Sequence, residues 1–140
     1  MYYKSEKKHS QLFIDLKNKN RKIVSIHIRR NDITKINHPS RYIELSIYEY
    51  FIKETNKKYD DLSFIIYTDS KNNECNKLLS DNVFLNKCNE KETFHDFVES
   101  DILLISISSF SYIPALLSKN IIYYFNNYMF KGLNNWIQIN

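Results

Sequence analysis

Ile102-Leu103-Leu104-Ile105 is a strand-length apolar run with no polar face, and it limits the folds open to this chain. A strand wetted on one side alternates apolar and polar residues. A strand without a polar face has to be covered on both sides, as in the middle of a parallel sheet. Four more segments have strand length and β-branched or aromatic character: Ile23–Ile28, Leu62–Tyr67, Val83–Leu85 and Ile121–Tyr124. Parallel strands need long crossovers, usually helices, and the intervening segments supply them. Residues 41–58 place Ile43, Ile47, Tyr50, Phe51 and Ile52 near helical spacing, with Ser40 expected as N-cap and Glu44 in the first turn. Shorter helices are expected over Glu74–Leu79, over Thr93–Glu99 with Thr93 as the cap and Phe94, Phe97 and Val98 inward, and from Ser108 to Ser118. Strand–helix alternation through about five strands predicts an α/β fold, a doubly wound parallel sheet with right-handed crossovers.

The 140 residues suit one core. No repeat or linker divides them, so a single domain over 1–140 is expected, with a core at 21–125. Residues 1–20 form an N-terminal extension, helical in part with Leu12, Phe13 and Leu16 on one side, and 126–140 form a C-terminal tail.

Gly132 is the only glycine. A dinucleotide fingerprint needs GxGxxG and a P-loop needs GxxxxGK[ST], because only glycine lets the backbone approach a pyrophosphate so closely. Neither loop can exist here, so any diphosphate has to be held by side chains and helix ends. The net charge of +4 is a mild tilt, compatible with an anionic ligand and short of what nucleic acid demands. The early basic residues from Lys4 to Lys22 are interrupted by Glu6 and Asp15 and read as a solvated face. Cys75 and Cys88 form no CxxC pair, and His9, His38 and His95 show no ligand spacing, so no metal site is expected. Asp60-Asp61 precedes its strand and reads as a solvated turn. The polar N-terminus and short apolar runs predict a soluble, cytoplasmic chain without a membrane segment.

In an open parallel sheet, ligands bind beyond the carboxyl ends of the strands, near the point where strand order reverses. Three polar clusters fall at such ends: Arg29-Arg30-Asn31-Asp32, Thr68-Asp69-Ser70 and Ser108-Ser109-Phe110-Ser111. Adjacent arginines suit a surface pair or, as planar forks, phosphate oxygens. His27 fits a satisfied core histidine or a ligand contact. Asp69 could end its strand, cap a helix or meet a ligand, and the serines could be caps or anion donors at a helix N-terminus.

Val24-Ser25-Ile26-His27-Ile28-Arg29-Arg30-Asn31-Asp32 resembles the HxRRxD segment of the α1,2- and α1,6-fucosyltransferase superfamily. Residues 99–112, from Glu99-Ser100-Asp101 to Ser108-Ser109-Phe110-Ser111-Tyr112, are similar to that superfamily's later serine motif, and Tyr67-Thr68-Asp69-Ser70 looks like the motif between. The resemblance implies the Rossmann-like C-terminal half of a GT-B glycosyltransferase. Such a domain binds GDP-fucose without a metal or other cofactor, for inverting transfer to a glycan acceptor. It implies that Arg29 and Arg30 hold the β-phosphate and stabilise departing GDP, and that His27 borders the nucleoside. Ser108 and Ser109 would meet the diphosphate at the helix start, Asp69, Phe110 and Ser111 would contact the donor, and Asp32 would orient the acceptor or act as base. The superfamily has a further N-terminal domain bordering the acceptor cleft, so a missing domain or partner chain is expected. Two rivals are a non-catalytic polyanion or nucleic-acid binder, motivated by pI ≈ 8.9 and eleven scattered tyrosines, and a domain that keeps the fold without transfer.

Overall fold

The computed structural model describes residues 8–139. The first seven residues of the expected extension, Lys4, Glu6 and Lys7 among them, and Asn140 of the tail lie outside the described residues. The chain runs α1 (Gln11–Asn18), β1 (Lys22–Ile28), α2 (Leu45–Lys58), β2 (Leu62–Thr68), a 3-10 turn (Glu74–Leu78), β3 (Val83–Asn86), α3 (Glu90–Glu99), β4 (Ile102–Leu104), α4 (Ser109–Leu117), β5 (Ile121–Phe125) and β6 (Ile137–Ile139). All neighbouring strands pair in parallel, in the order β3-β2-β1-β4-β5-β6. The order therefore reverses between β1 and β4. This is the doubly wound, Rossmann-like arrangement, with its switch point at those two strands.

Helices cover both faces. On one, Val24, Ile26, Ile28, Phe64, Ile66 and Leu104 pack against Tyr48, Phe51 and Ile52 of α2. On the other, Ile23, Ile65, Leu103 and Ile122 pack against Phe13 and Leu16 of α1, Phe97 of α3 and Ala115 of α4. The two clusters follow the strand period of two, and β1 is buried from Ile23 through Ile28. Asp101 pins the amino-terminal edge, accepting from Ile23 N at 2.8 Å and Lys17 Nζ at 2.9 Å. Asp60 and Asp61 lie exposed at that same end, away from the carboxyl ends.

Three local expectations are corrected. Ser40 caps no helix: α2 begins at Leu45, and Glu44 is its N-cap rather than part of its first turn. The preceding loop is held by side chains instead, because Arg41 donates to Ile107 O and Arg30 donates to Ile43 O. Thr93 lies inside α3. Asn89 takes the cap through a reciprocal pair, accepting from Glu92 N at 2.8 Å while Glu92 Oε1 accepts from Asn89 N, the capping-box pattern. The sheet has six strands rather than five, since residues 137–139 pair with β5.

The last crossover contains no helix. Asn127 Oδ1 accepts from Met129 N and Phe130 N, and Tyr112 Oη donates to Lys131 O. Trp136 packs edge-on against Tyr112 and Tyr124. Gly132 lies against Tyr124, where an added Cβ would stand 2.2 to 2.6 Å from three ring atoms. Gly132→Ala should push that ring off Trp136 and cost about 1–2 kcal/mol, read as a lower urea midpoint with unchanged slope. An unchanged midpoint would show that the ring moves freely.

Candidate active site

Beyond the carboxyl ends of β1, β2 and β3 opens a cavity of about 720 Å³, within the roughly 300–1,000 Å³ of small-molecule sites. Three strands and two helices wall it. His27, Arg29 and Asn31 come from the end of β1, and Tyr67 to Asn73 from the end of β2. Asn86, Lys87 and Cys88 come from β3, Glu90 and Thr93 from the first turns of α3, and Phe110 from the start of α4.

His27 sits at the switch point. Its Nδ1 shares a 2.8 Å hydrogen bond with Ser106 Oγ just beyond β4, and Phe97 and Phe110 flank its ring. Ser106 is itself tied to α4, because its N donates to Ser111 Oγ at 3.1 Å. Burial holds the imidazole down at about 4 rather than 6.5, against the opposing pull of Asp69. The ring is therefore neutral at physiological pH.

The two arginines diverge. Arg30 is only 5 % exposed. Its guanidinium is spent on Glu74, on Ile43 O at 2.7 Å and on the ring of Tyr42 at 4.2 Å, and it borders a second cavity rather than this one. Arg29 is 30 % exposed and faces the main cavity, its Nη2 donating to Asp32 Oδ1 at 2.9 Å and its Nε 3.3 Å from Asp69 Oδ2. The Nε contact is an ion pair without hydrogen-bond geometry, so that N–H is left without an acceptor. Asp69 holds the backbone between the two side chains, its Oδ1 accepting from Arg30 N at 2.6 Å.

Asp32 is 61 % exposed and lines neither cavity. The Arg29 hydrogen bond, with a backbone one, holds its carboxyl below the usual range, which weakens it as a proton acceptor. Of the serine segment, only Phe110 reaches the cavity. Ser108 is the N-cap of α4, accepting from Phe110 N; Ser111 is buried against Ser106; Ser109 is exposed outside the lining.

Sequence reasoning missed the β3 side of the cavity and its support. The carboxyl-end rule, applied to the short strand Val83–Leu85, would have found Asn86, Lys87 and Cys88. Asp96 carried no such signal. It is fully buried beneath the wall and accepts from Tyr67 Oη at 2.8 Å, Ser10 Oγ at 2.5 Å, Ser10 N at 3.2 Å and His9 Nδ1 at 2.9 Å. Asn86 Nδ2 donates to Ser10 Oγ at 2.8 Å. Two wall residues are thus anchored to one buried polar network, whose members are each satisfied. Among the described residues, no group of three or more His, Cys, Asp or Glu is gathered that could hold a metal ion. No helix of the described residues is long and apolar enough to cross a membrane.

No family model matches the sequence, and no curated protein matches it. Solved structures do. The UDP complex of S. aureus MnaA superposes at a TM-score of 0.61, 18 % identical over 91 % of this chain and 34 % of its own. A Listeria monocytogenes protein assigned as a UDP-N-acetylglucosamine 2-epimerase gives 0.56, at 9 % identity over 86 % of this chain and 31 % of its own. TarM gives 0.53, at 20 % identity over 85 % and 25 % respectively. The chain spans about a third or less of each. At such identities the likeness shows the fold, and it is the Rossmann-like fold expected of half a GT-B enzyme.

The buried imidazole makes stability depend on pH. Its pKa is about 4 folded and 6.5 unfolded, so the unfolded chain binds more protons between those values. His27's contribution is complete above 6.5 and is lost as pH falls toward 4, to a total of about 3 kcal/mol. His27→Gln should flatten the fall in urea midpoint over that window; an identical fall in the variant would contradict the assignment.

Proposed function

We propose that this chain binds a nucleoside diphosphate sugar in the main cavity, as the donor-binding domain of a glycosyltransferase. One observation carries the reading. Three segments far apart in sequence, each resembling a fucosyltransferase motif, send residues to a single cavity: His27 and Arg29 from the first, Asp69 from the second, Phe110 from the third. The fold agrees, since MnaA is solved with UDP and the Listeria protein is assigned a UDP-sugar as substrate. The resemblance narrows the donor to GDP-fucose and the reaction to metal-independent, inverting transfer to a glycan.

The residues suit such a step in unequal measure. In an inverting displacement an acceptor hydroxyl attacks the anomeric carbon, the bond to the β-phosphate oxygen breaks, and negative charge collects on the departing diphosphate. Arg29 is placed to receive that charge, since its partly exposed guanidinium borders the cavity. Neutral His27 can border the nucleoside without adding charge. Asp32, paired with Arg29 on the rim, is better placed to orient Arg29 or an acceptor than to remove a proton. Arg30 supports the site by bracing its loop.

Calorimetric titration with GDP, GDP-fucose, GDP-mannose, UDP-N-acetylglucosamine and NAD, with EDTA present, tests the reading. GDP species should bind, and Arg29→Ala should weaken them at least about 30-fold, as expected for a lost charge-assisted pair, with unchanged circular dichroism. Binding of the UDP sugar alone would keep the donor site and overturn the guanine assignment. Tight binding that survives Arg29→Ala would overturn the site itself. RNA affinity that collapses with salt, without nucleotide binding, would favour the polyanion reading.

A further inference from the structure

The resemblance sets two arginines against the diphosphate, but the structure leaves only one of them on the cavity. Arg29 meets a ligand already paired with two carboxylates, Asp32 and Asp69. A diphosphate carries more than one negative charge, and charge brought out of water without a partner is costly. A second cation would offset the remaining charge, and the cavity offers Lys71 and Lys87.

Strand order separates these two. Lys71 follows β2, which pairs with β1 up to Ile28 against Thr68. Lys87 follows β3, one strand farther out, in the same wall as Glu90. Adjacent strands lie about 4.8 Å apart, so the strand leading to Lys71 is one spacing from β1 and the strand leading to Lys87 is two.

The loop carrying Lys71 is also well fixed. Thr68 Oγ1 donates to Ile28 O at 2.7 Å and accepts from Ser70 N at 3.1 Å, tying the loop to β1. Asn72 Oδ1 accepts from Ser70 Oγ at 3.2 Å and from Glu74 N at 2.9 Å, closing the turn around Lys71. The backbone is held while the exposed side chain forms no ion pair among the described residues. Lys71 also borders the neighbouring cavity of about 530 Å³ that Arg30 lines, so it stands on the ridge between the two.

We infer that Lys71 and Arg29 form the cation pair that holds the outer phosphate of a nucleoside diphosphate, with Lys71 filling the place from which Arg30 has been withdrawn. The inference rests on the nucleotide-sugar reading of the same cavity. It distinguishes diphosphates from monophosphates, which a general loss of positive charge does not.

The full chain is titrated with GMP, GDP, UMP and UDP at one ionic strength, as wild type, Lys71→Ala, Lys71→Arg and Lys87→Ala. Wild type should prefer the diphosphate of its base. Lys71→Ala should lower diphosphate affinity about tenfold and monophosphate affinity by less than about twofold, and Lys71→Arg should restore the preference. Lys87→Ala should keep the wild-type ratio. A wild-type ratio in Lys71→Ala, or its collapse only in Lys87→Ala, would overturn the inference and leave the donor-site reading intact. Absence of binding by folded wild type would overturn both.

Discussion

With β2 on one side and β4 on the other, β1 is buried from Ile23 to Ile28, and a strand in that position tolerates polar side chains only where each has a partner. Ser25 meets Ser100 at 2.6 Å and His27 meets Ser106 at 2.8 Å, both contacts bridging to the β4 side of the switch point. These contacts add to the β1–β4 backbone pairing where the strand order reverses. The cavity begins where β1 ends, and the end of β1 sends His27, Arg29 and Asn31 to its wall.

From there one carboxylate sets the polarity of the rim. Asp69, at the end of β2, grips the backbone of Arg30 and the side chain of Arg29. From that fixed backbone the adjacent arginines point in opposite directions, one into the loop before α2 and the other to the cavity. A buried guanidinium is expensive unless its donors are matched, and Glu74, Ile43 O and Tyr42 match those of Arg30. The loop from 31 to 44 is therefore braced by the side chain that the motif alone would place on a ligand. On the far wall Asp96 plays the corresponding part, gathering Tyr67, Ser10 and His9 around one buried carboxylate.

Much of the architecture was legible because the responsible signals are local. The apolar run at Ile102, the β-branched stretch Ile23–Ile28, and polar clusters after strands are properties of a few consecutive residues. What escaped depends on partners far away in sequence. Nothing near Arg30 announces Glu74, and nothing near Asp96 announces Ser10 or Tyr67. α2 starts later than the usual N-cap chemistry of Ser40 suggests, because Arg41 is drawn to Ile107 O and holds the chain out of the helix. The sixth strand escaped because Ile137–Ile139 is short and mostly exposed, and its pairing rests on the aromatic packing of Trp136.

The central claim is that a nucleotide sugar occupies the carboxyl-end cavity. It is tested most directly by amide chemical-shift mapping of the labelled chain during titration with GDP-fucose. The account predicts shifts concentrated at His27 to Asn31, Tyr67 to Asn73, Asn86 to Thr93 and Phe110, with Asp60, Asp61, Lys119 and Asn120 at the opposite end of the sheet unmoved. Shifts centred on that opposite end, or spread evenly along the basic surface, would contradict it.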